Sequence, residues 1–223
     1  MTGVALNDVS ARARVGVKGA AAAEFLRAQG LAVPERFNCW TERDGVLVAR
    51  LGMTEFLVEA GAGCGGFPSP QPLSRGERGL QDPLPPGEGG AERRVREDPA
   101  LPSQLPTPLQ ALAAALHAAT QLNNPDLYPV LRADCALVLA GPLANDLLVQ
   151  VCNVDFAPLA RAATANDGPL ALTQMVGVSV TVVPQRRADD LLYRIWCDPS
   201  FGPYLKTTLQ DIADELNAGA PTA

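Results

Sequence analysis

The sequence predicts an α+β protein built from two similar β-α-β-β-α units that pack together. Three observations lead to this prediction. A strand–glycine–helix segment occurs twice, at Gly19 and at Gly141. Each copy is followed by the apolar alternation that is typical of strands, and each half ends in an amphipathic helix. Because one such unit leaves a face of its sheet uncovered, two units are expected to pack around shared apolar surface.

The first half extends over about residues 8–122. Its segment VGVKG alternates as a short strand up to Gly19, which opens an Ala-rich helix, and Gly30 lies just past the end of that helix. GVLVARLGMTEFLVEA predicts two strands joined at Gly52-Met53. TPLQALAAALHA is typical of a capped helix with Pro in the first turn, and its leucines fall on one face.

The second half, about residues 126–216, repeats this order. LVLAG predicts a strand that ends at Gly141, where a helix opens with Pro in its first turn. Aligning Gly19 with Gly141 also matches the small, acidic and large apolar residues that follow. LALTQMVGVSVTVVP and DLLYRIWCD predict strands around a polar turn at residues 185–189. The last helix carries an apolar stripe, and Ser200 is its predicted cap.

A block at about residues 67–98 has neither helical nor strand periodicity. Ten of the chain's 20 prolines lie between Pro68 and Pro108, and the arginines there alternate with acidic residues. We expect a disordered, low-complexity insertion; a PxxP-type ligand and a basic phosphate-binding loop are the alternatives. The repeated PLxxGExG pattern also resembles a translated inverted DNA repeat. Deleting the block is expected to leave the fold intact, since loop entropy grows slowly with length.

Composition narrows the classes of function. A net charge of −6 and a pI near 4.8 argue against a nucleic-acid partner. No apolar run is long enough to span a bilayer and the N-terminal segment has no signal-peptide core, so we expect a cytoplasmic protein with no membrane partner. Five scattered cysteines without a CxxC, and a single histidine, His117, argue against a metal site or a disulfide framework. Walker A, GxSxG, HExxH and GxGxxG motifs are all missing, so no catalytic residue is predicted.

Polar side chains at the junctions of strands and turns are the candidate folate-binding or partner-binding residues. They are Asp8, Ser10, Asn38, Arg50, Glu55 and Asp155. Arg50 and Glu55 flank the predicted hairpin turn and could instead form a surface ion pair of small energetic value.

The segment NDVSARARVGVKGAAAAEFL is similar to the start of folate-binding aminomethyltransferase domains of the glycine-cleavage T-protein group. The later blocks VPERFNCW, RLGMTEFLVEA, LAGPLANDLLVQVCNVDF, ALTQMVGVSVTVV and DPSFGPYLKTTL resemble, in order, those of the gamma subunit of heterotetrameric sarcosine oxidase. The resemblance implies a T-protein-like fold and a small, non-catalytic accessory subunit. Its partners would be larger flavoprotein subunits, which alone would carry flavin and NAD.

The same resemblance implies no firmly bound cofactor in this chain, although tetrahydrofolate is a ligand that it could bind. The alternative is therefore a stand-alone tetrahydrofolate-binding or aminomethyltransferase-like protein of one-carbon metabolism. That alternative requires a pocket between the halves, for which Asp8, Asn38 and Arg50 are the candidate lining residues.

Overall fold

A computed structural model describes residues 3–60, 107–121, 125–187 and 190–219. The predicted insertion at 67–98 lies outside the described residues. The strands are β1 (Ala5–Asp8), β2 (Arg14–Lys18), β3 (Cys39–Arg43), β4 (Val46–Arg50), β5 (Glu55–Ala60), β6 (Tyr128–Val130), β7 (Cys135–Ala140), β8 (Asp167–Pro169), β9 (Ala171–Met175), β10 (Val178–Arg187) and β11 (Asp190–Cys197). The helices are α1 (Ala22–Ala28), α2 (Thr107–Gln121), α3 (Ala144–Val151), α4 (Ala157–Ala162) and α5 (Gly202–Gly219).

The strands form two antiparallel sheets, which confirms the α+β class. The first sheet has the order β6-β2-β5-β4-β3-β8, and the second has the order β1-β7-β11-β10-β9. All neighbouring strands run antiparallel. The two orders coincide when β6, β2, β5, β4 and β3 are matched with β1, β7, β11, β10 and β9. The duplication predicted from the sequence is therefore present in the topology.

The structure has more strands than the sequence predicted. The order in the first half is β-β-α-β-β-β-α, and the second half adds α4 and the short strand β8, which pairs with β3. The first strand of each half pairs in the sheet of the other half: β1 with β7, and β6 with β2. The short strands β1, β6 and β3 escaped prediction because each lies at or near a sheet edge, where partial exposure weakens apolar alternation. In the second half, the predicted strand LALTQMVGVSVTVVP is two strands, β9 and β10, joined by a tight turn at Val176-Gly177.

The aligned glycines Gly19 and Gly141 occupy equivalent places where the exchanged strands enter. Both have a positive φ, +129° and +116°. A Cβ added at Gly19 would lie 2.1 Å from the carbonyl oxygen of Asp126, and one at Gly141 would lie 2.1 Å from that of Gly3. Asp126 and Gly3 each lie two residues before an exchanged strand. Only glycine can allow so close an approach of the backbone with that φ.

The molecule has four layers, with helices outside and the two sheets facing each other inside. Helices α1 and α2 cover the first sheet, and α3, α4 and α5 cover the second. Strand β11 shows the alternation: Tyr193 and Ile195 pack against helices, whereas Arg194 and Trp196 face the first sheet. The two units thus bury their open sheet faces against each other, as the sequence predicted.

The long helices confirm the predicted apolar stripes. In α2, Leu109, Leu112 and Leu116 are buried, as are Leu205 and Leu209 in α5. The partly buried Ile212 and Leu216 complete the stripe of α5.

The predicted cap of the last helix was wrong by two residues. The capping residue is Asp198, whose carboxylate accepts the backbone N–H of Ser200 at 2.9 Å. It caps a 3-10 turn, Pro199–Phe201, that leads directly into α5. No helix in the described part of the chain combines the length and hydrophobicity needed to cross a membrane.

Candidate functional site

The Asp8-Val9-Ser10 segment joins the two halves of the molecule. The Asp8 carboxylate accepts the Ser10 N–H at 3.0 Å, a local turn at the end of β1. The Ser10 hydroxyl oxygen accepts the N–H of Ala136 at 3.0 Å, and the Val9 N–H donates to the carbonyl of Ala136 at 2.8 Å. The Asp8-Val9-Ser10 segment therefore anchors the exchanged strand β1 to β7.

A cleft of about 670 Å³ opens beside this segment. Its wall combines the chain that follows β1, the link between β6 and β7, and the start of α5. The charged and polar lining residues include Asp8, Ser10, Arg12, Arg14, Arg132, Asp134 and Lys206. The volume falls within the range of small-molecule sites. With four cationic and two anionic side chains in the lining, the cleft has a net positive charge.

Two of these cations are paired with carboxylates of the protein. The Arg14 guanidinium donates to Glu59 at 2.8 Å and also to the backbone carbonyls of Ser10 and Asp134. It therefore ties together the two segments that form the cleft. At the rim, the Lys206 ammonium donates to Asp8 at 2.9 Å. Half of the Lys206 side chain is exposed, so solvent screens this pair strongly.

Three residues of the cleft each have one buried polar atom without a hydrogen bond. Four buried side-chain nitrogen or oxygen atoms in the described residues lack a hydrogen bond, and three of them belong to residues that line this cleft. They are Arg12 Nη1, Arg132 Nε and Asp134 Oδ2. Buried polar atoms in native proteins are generally paired with protein, water or ligand. The concentration of unpaired atoms in one cleft makes it the candidate binding site.

Behind the cleft, an ionic network lies between the two sheets. Glu59 on β5 is fully buried and accepts hydrogen bonds from Arg14, from Arg194 at 3.1 Å and from the Trp196 indole at 2.9 Å. Arg194 on β11 also donates to Glu42 on β3 at 2.7 Å. Charged side chains of one sheet thus form hydrogen bonds with those of the other, and these bonds offset part of the desolvation free energy of the buried charges.

The network leaves Arg12 undercompensated. Its Nη1 lies 3.6 Å from Glu59, too far for a hydrogen bond, and that carboxylate already serves Arg14 and Arg194. Burial lowers the pKa of the Arg12 guanidinium; Glu59 opposes this shift, and the neighbouring Arg194 and Arg14 add to it. Glu59 therefore compensates the charge of Arg12 only in part.

Asp8 is held in its charged form. Burial alone would raise its pKa, but hydrogen bonds from Ser10 and Lys206 and the charge of Lys206 lower that pKa to about 2. The Asp8 carboxylate is therefore ionised at neutral pH, and the rim of the cleft carries a fixed pair of opposite charges.

Two of the six sequence-predicted site residues, Asp8 and Ser10, line the cleft, and the other four lie elsewhere. Arg50 donates to the backbone carbonyls of Pro34 and Met53 and lies 5.3 Å from the ring centre of Phe56, so it fastens two loops together. Asn38 adopts a left-handed conformation, with φ +55°, between backbone partners on β4 and at Leu170. Neither residue contributes to the pocket that the folate-binding alternative assigned to them with Asp8.

Glu55 and Asp155 also have structural partners. The suggested surface pair of Arg50 with Glu55 is wrong, because Glu55 accepts from Arg132 at 2.5 Å instead. Glu55 thereby orients a cleft residue without lining the cleft. Asp155 accepts the N–H of Ala157 at 2.9 Å, at the start of α4.

Sequence reasoning missed Arg12, Arg132 and Asp134 as site residues. Arg12 and Arg132 lie in segments without periodicity, where a charged residue is ordinarily solvated. A signal did exist for the network behind them: Glu59 and Arg194 each interrupt the apolar sequence of a strand. A charge within a central strand is expected to be paired.

The cysteines and the histidine offer no second site. Cys135 and Cys197 are directly paired across β7 and β11, and burial raises the pKa of the Cys197 thiol to about 12. The Cys197 thiol is therefore neutral and unreactive in the packed second sheet. Cys64 lies outside the described residues, and His117 is exposed on α2. Within the described ranges, no cluster of three or more His, Cys, Asp or Glu side chains could hold a metal ion.

No protein-family model matches the chain, and no curated protein matches its sequence. Among solved structures, the chain is similar to the glycine cleavage system aminomethyltransferase T from Bartonella henselae, with 14% sequence identity and a TM-score of 0.49. The matched region includes 93% of this chain. It spans only 45% of the aminomethyltransferase, so this chain corresponds to less than half of that protein's length.

Proposed function

We propose that this protein is an accessory, gamma-type subunit of a cytoplasmic, sarcosine-oxidase-like complex that acts in N-methyl amino acid and one-carbon metabolism. Its partners are larger flavoprotein subunits, which hold the flavin and NAD and perform the oxidation. The ordered series of sequence blocks that resemble the gamma subunit supports this choice.

The observation that carries the proposal is the closed packing between the two sheets. Trp40, Leu57, Val183 and Trp196 fill this space with exposed fractions of 2% or less. The buried charges there bind one another, Glu59 above all. In the described part of the chain, a ligand as large as a pterin would have to displace this core, which favours a partner role over folate chemistry between the halves.

Copurification tests the proposal. The chain is coexpressed with the products of the genes that flank its own, and the product is analysed by size-exclusion chromatography with light scattering and by flavin absorbance. We expect a stable complex that contains this chain in a fixed ratio to flavin. A chain that elutes as a monomer, while the flavoproteins assemble without it, would overturn the proposal.

The second candidate function is tetrahydrofolate binding by the isolated chain, as in an aminomethyltransferase-like protein. The observation that favours it is the cleft at Asp8 and Ser10, whose charged and polar lining and 670 Å³ volume suit a small ligand. Anaerobic calorimetric titration with tetrahydrofolate tests it directly. Saturable binding that is lost in Arg12→Gln, but kept in the exposed control Arg27→Gln, would establish this function; no heat of binding to the wild-type chain would exclude it.

A further inference from the structure

The outer edge of β9 has no neighbouring strand among the described residues. In the first sheet, β3 has β4 on one side and β8 on the other. Its counterpart in the second sheet is β9, which pairs with β10 on one side only. The duplicated fold therefore seats an antiparallel strand on one copy of this edge and leaves the equivalent place open on the other.

The register of the β9–β10 hairpin shows which groups this edge presents. The tight turn at Val176-Gly177, with φ +44° and +83°, makes Met175 and Val178 a hydrogen-bonded pair. Such pairs alternate along an antiparallel ladder, so the backbone N–H and C=O groups of Leu172 and Gln174 point away from β10. Both residues are exposed, Leu172 to 51%. Their outward groups bond to no other backbone group in the described part of the chain.

The edges formed by the other described strands carry features that oppose the addition of a strand. The edge strand β6 contains Pro129, which has no N–H to donate. The edge strand β8 has only three residues, and two of them are Asp167 and Pro169. Beside β1, the Asn217 side chain of α5 bonds to both the N–H and the C=O of Val4. Strand β9, with the sequence ALTQM, has neither a proline nor a charge, so its edge is the one suited to pair with a further strand.

A second copy of this chain supplies a strand that matches. When two β9 strands run antiparallel about a two-fold axis at Thr173, Leu172 of each copy lies opposite Gln174 of the other. The outward N–H and C=O groups of these residues then meet. The axis also places the two Thr173 side chains opposite each other, which is one of the favourable cross-strand pairs. Because the strand is uncharged, pairing with itself brings no like charges together.

Aromatic side chains beside the turn add apolar surface next to this edge. The Tyr204 hydroxyl donates to the Val176 carbonyl at 3.4 Å, which places the Tyr204 side chain at the tip of the hairpin. Tyr204 is 53% exposed, and Phe201 in the preceding 3-10 turn is 50% exposed. Aromatic residues are enriched at protein interfaces.

We propose that two copies of this chain pair through β9, so that their second sheets join into one continuous antiparallel sheet. The contact leaves the cleft at Asp8 and the packing between the sheets unchanged, and it does not depend on the proposed role as an accessory subunit. A short strand with flanking aromatic residues makes a small interface, so we expect a weak dimer with a Kd of about 10⁻⁵–10⁻⁴ M.

Sedimentation equilibrium and amide hydrogen exchange of the full-length chain test this pairing. The weight-average mass should rise from 23.4 kDa toward twice that value between about 10 µM and about 1 mM protein. Over the same range, the Leu172 and Gln174 amides should come to exchange more slowly, by about threefold or more. The amides of Thr173 and Met175 donate to β10 and should be protected at every concentration, which makes them the internal control.

Variants of the edge separate pairing from folding. Gln174→Pro removes an outward N–H, a change that a sheet edge tolerates, so it should weaken the dimer by about tenfold or more and leave the midpoint of urea unfolding of the monomer unchanged. Gln174→Thr keeps that N–H and is the matched control, which should dimerise as the wild type does. Leu172→Lys places a charge on the edge without touching the backbone groups and should also weaken the dimer.

Three results would overturn the proposal. A wild-type chain that stays monomeric at about 1 mM does not pair with itself. A Gln174→Pro variant that dimerises as strongly as the wild type would place the contact on another surface. Protection of the Leu172 and Gln174 amides that appears only after addition of the products of the flanking genes would assign this edge to a different protein.

Discussion

Replacement of Glu59 by glutamine should destabilise the protein strongly. The Glu59 side chain is fully buried and contacts three guanidinium groups and the indole N–H of Trp196. Glutamine keeps the shape, but it removes the one carboxylate that pairs with Arg14 among the described residues and turns an amide NH₂ toward hydrogen-bond donors. Breaking a buried ion pair on one side costs ~3–5 kcal/mol. That loss is a large part of the ~5–15 kcal/mol by which a domain is ordinarily stable.

Urea unfolding measured by tryptophan fluorescence is a suitable assay, because Trp40 and Trp196 are both buried between the sheets. Glu24→Gln on the exposed surface of α1 is the matched control and should change the free energy of unfolding by no more than ~0.5 kcal/mol. A loss below ~1 kcal/mol in Glu59→Gln would refute the claim that Glu59 holds the network together.

The double variant Glu59→Gln with Arg12→Gln provides a second check. Without Glu59, the half-buried guanidinium of Arg12 loses the one carboxylate that faces it among the described residues, so its removal should recover part of the lost stability. Residues that share one carboxylate are expected to be coupled by ~0.5–3 kcal/mol. Strict additivity of the two substitutions would show that Arg12 does not share in the network.

Three further predictions concern the turn, the strand exchange and the rim. Gly141→Ala should lower the free energy of unfolding by ~2 kcal/mol or more in urea titrations, because the new Cβ would lie 2.1 Å from a backbone oxygen and the residue has φ +116°. The control Gly52→Ala should have little effect, since a Cβ there would meet no atom within 4 Å. Val176→Asn should raise the thermal midpoint by relieving a β-branched residue at φ +44°, with a gain of up to ~1 kcal/mol; an unchanged midpoint would show that packing offsets the strain. The Asp8 carboxyl should titrate by NMR with a pKa of about 2, and this pKa should rise toward 3.8 in Lys206→Met. Because the pKa is lowered in the folded protein, the contribution of Asp8 to the free energy of unfolding is full above about pH 4 and is lost as the pH falls toward 2.

Local features of the chain allowed much of the architecture to be predicted. Apolar alternation located the central strands, and the stripes of α2 and α5 are buried as expected. The alignment of Gly19 with Gly141 identified equivalent points in two units, because a positive φ and a close backbone contact leave glycine as the residue that fits. These signals are local, and a short window of sequence contains them.

The candidate site could be predicted only in part. Asp8 and Ser10 were found because they are polar residues at the junction of a strand and a turn, and their role in binding stays a prediction. Arg12, Arg132 and Asp134 come from two segments about 120 residues apart that the exchanged strand β1 brings together. Nothing in either segment indicates that the other completes it.

The sequence by itself determined the class of the fold, the duplication, and the faces of strands and helices that become buried. Only the tertiary structure decided that the first strand of each half joins the opposite sheet, that Glu59 and Arg194 meet between the sheets, and that three unpaired polar atoms share one cleft. The physical reason is range: periodicity and backbone conformation act over a few residues, whereas strand exchange and charge pairing depend on which distant segments pack together.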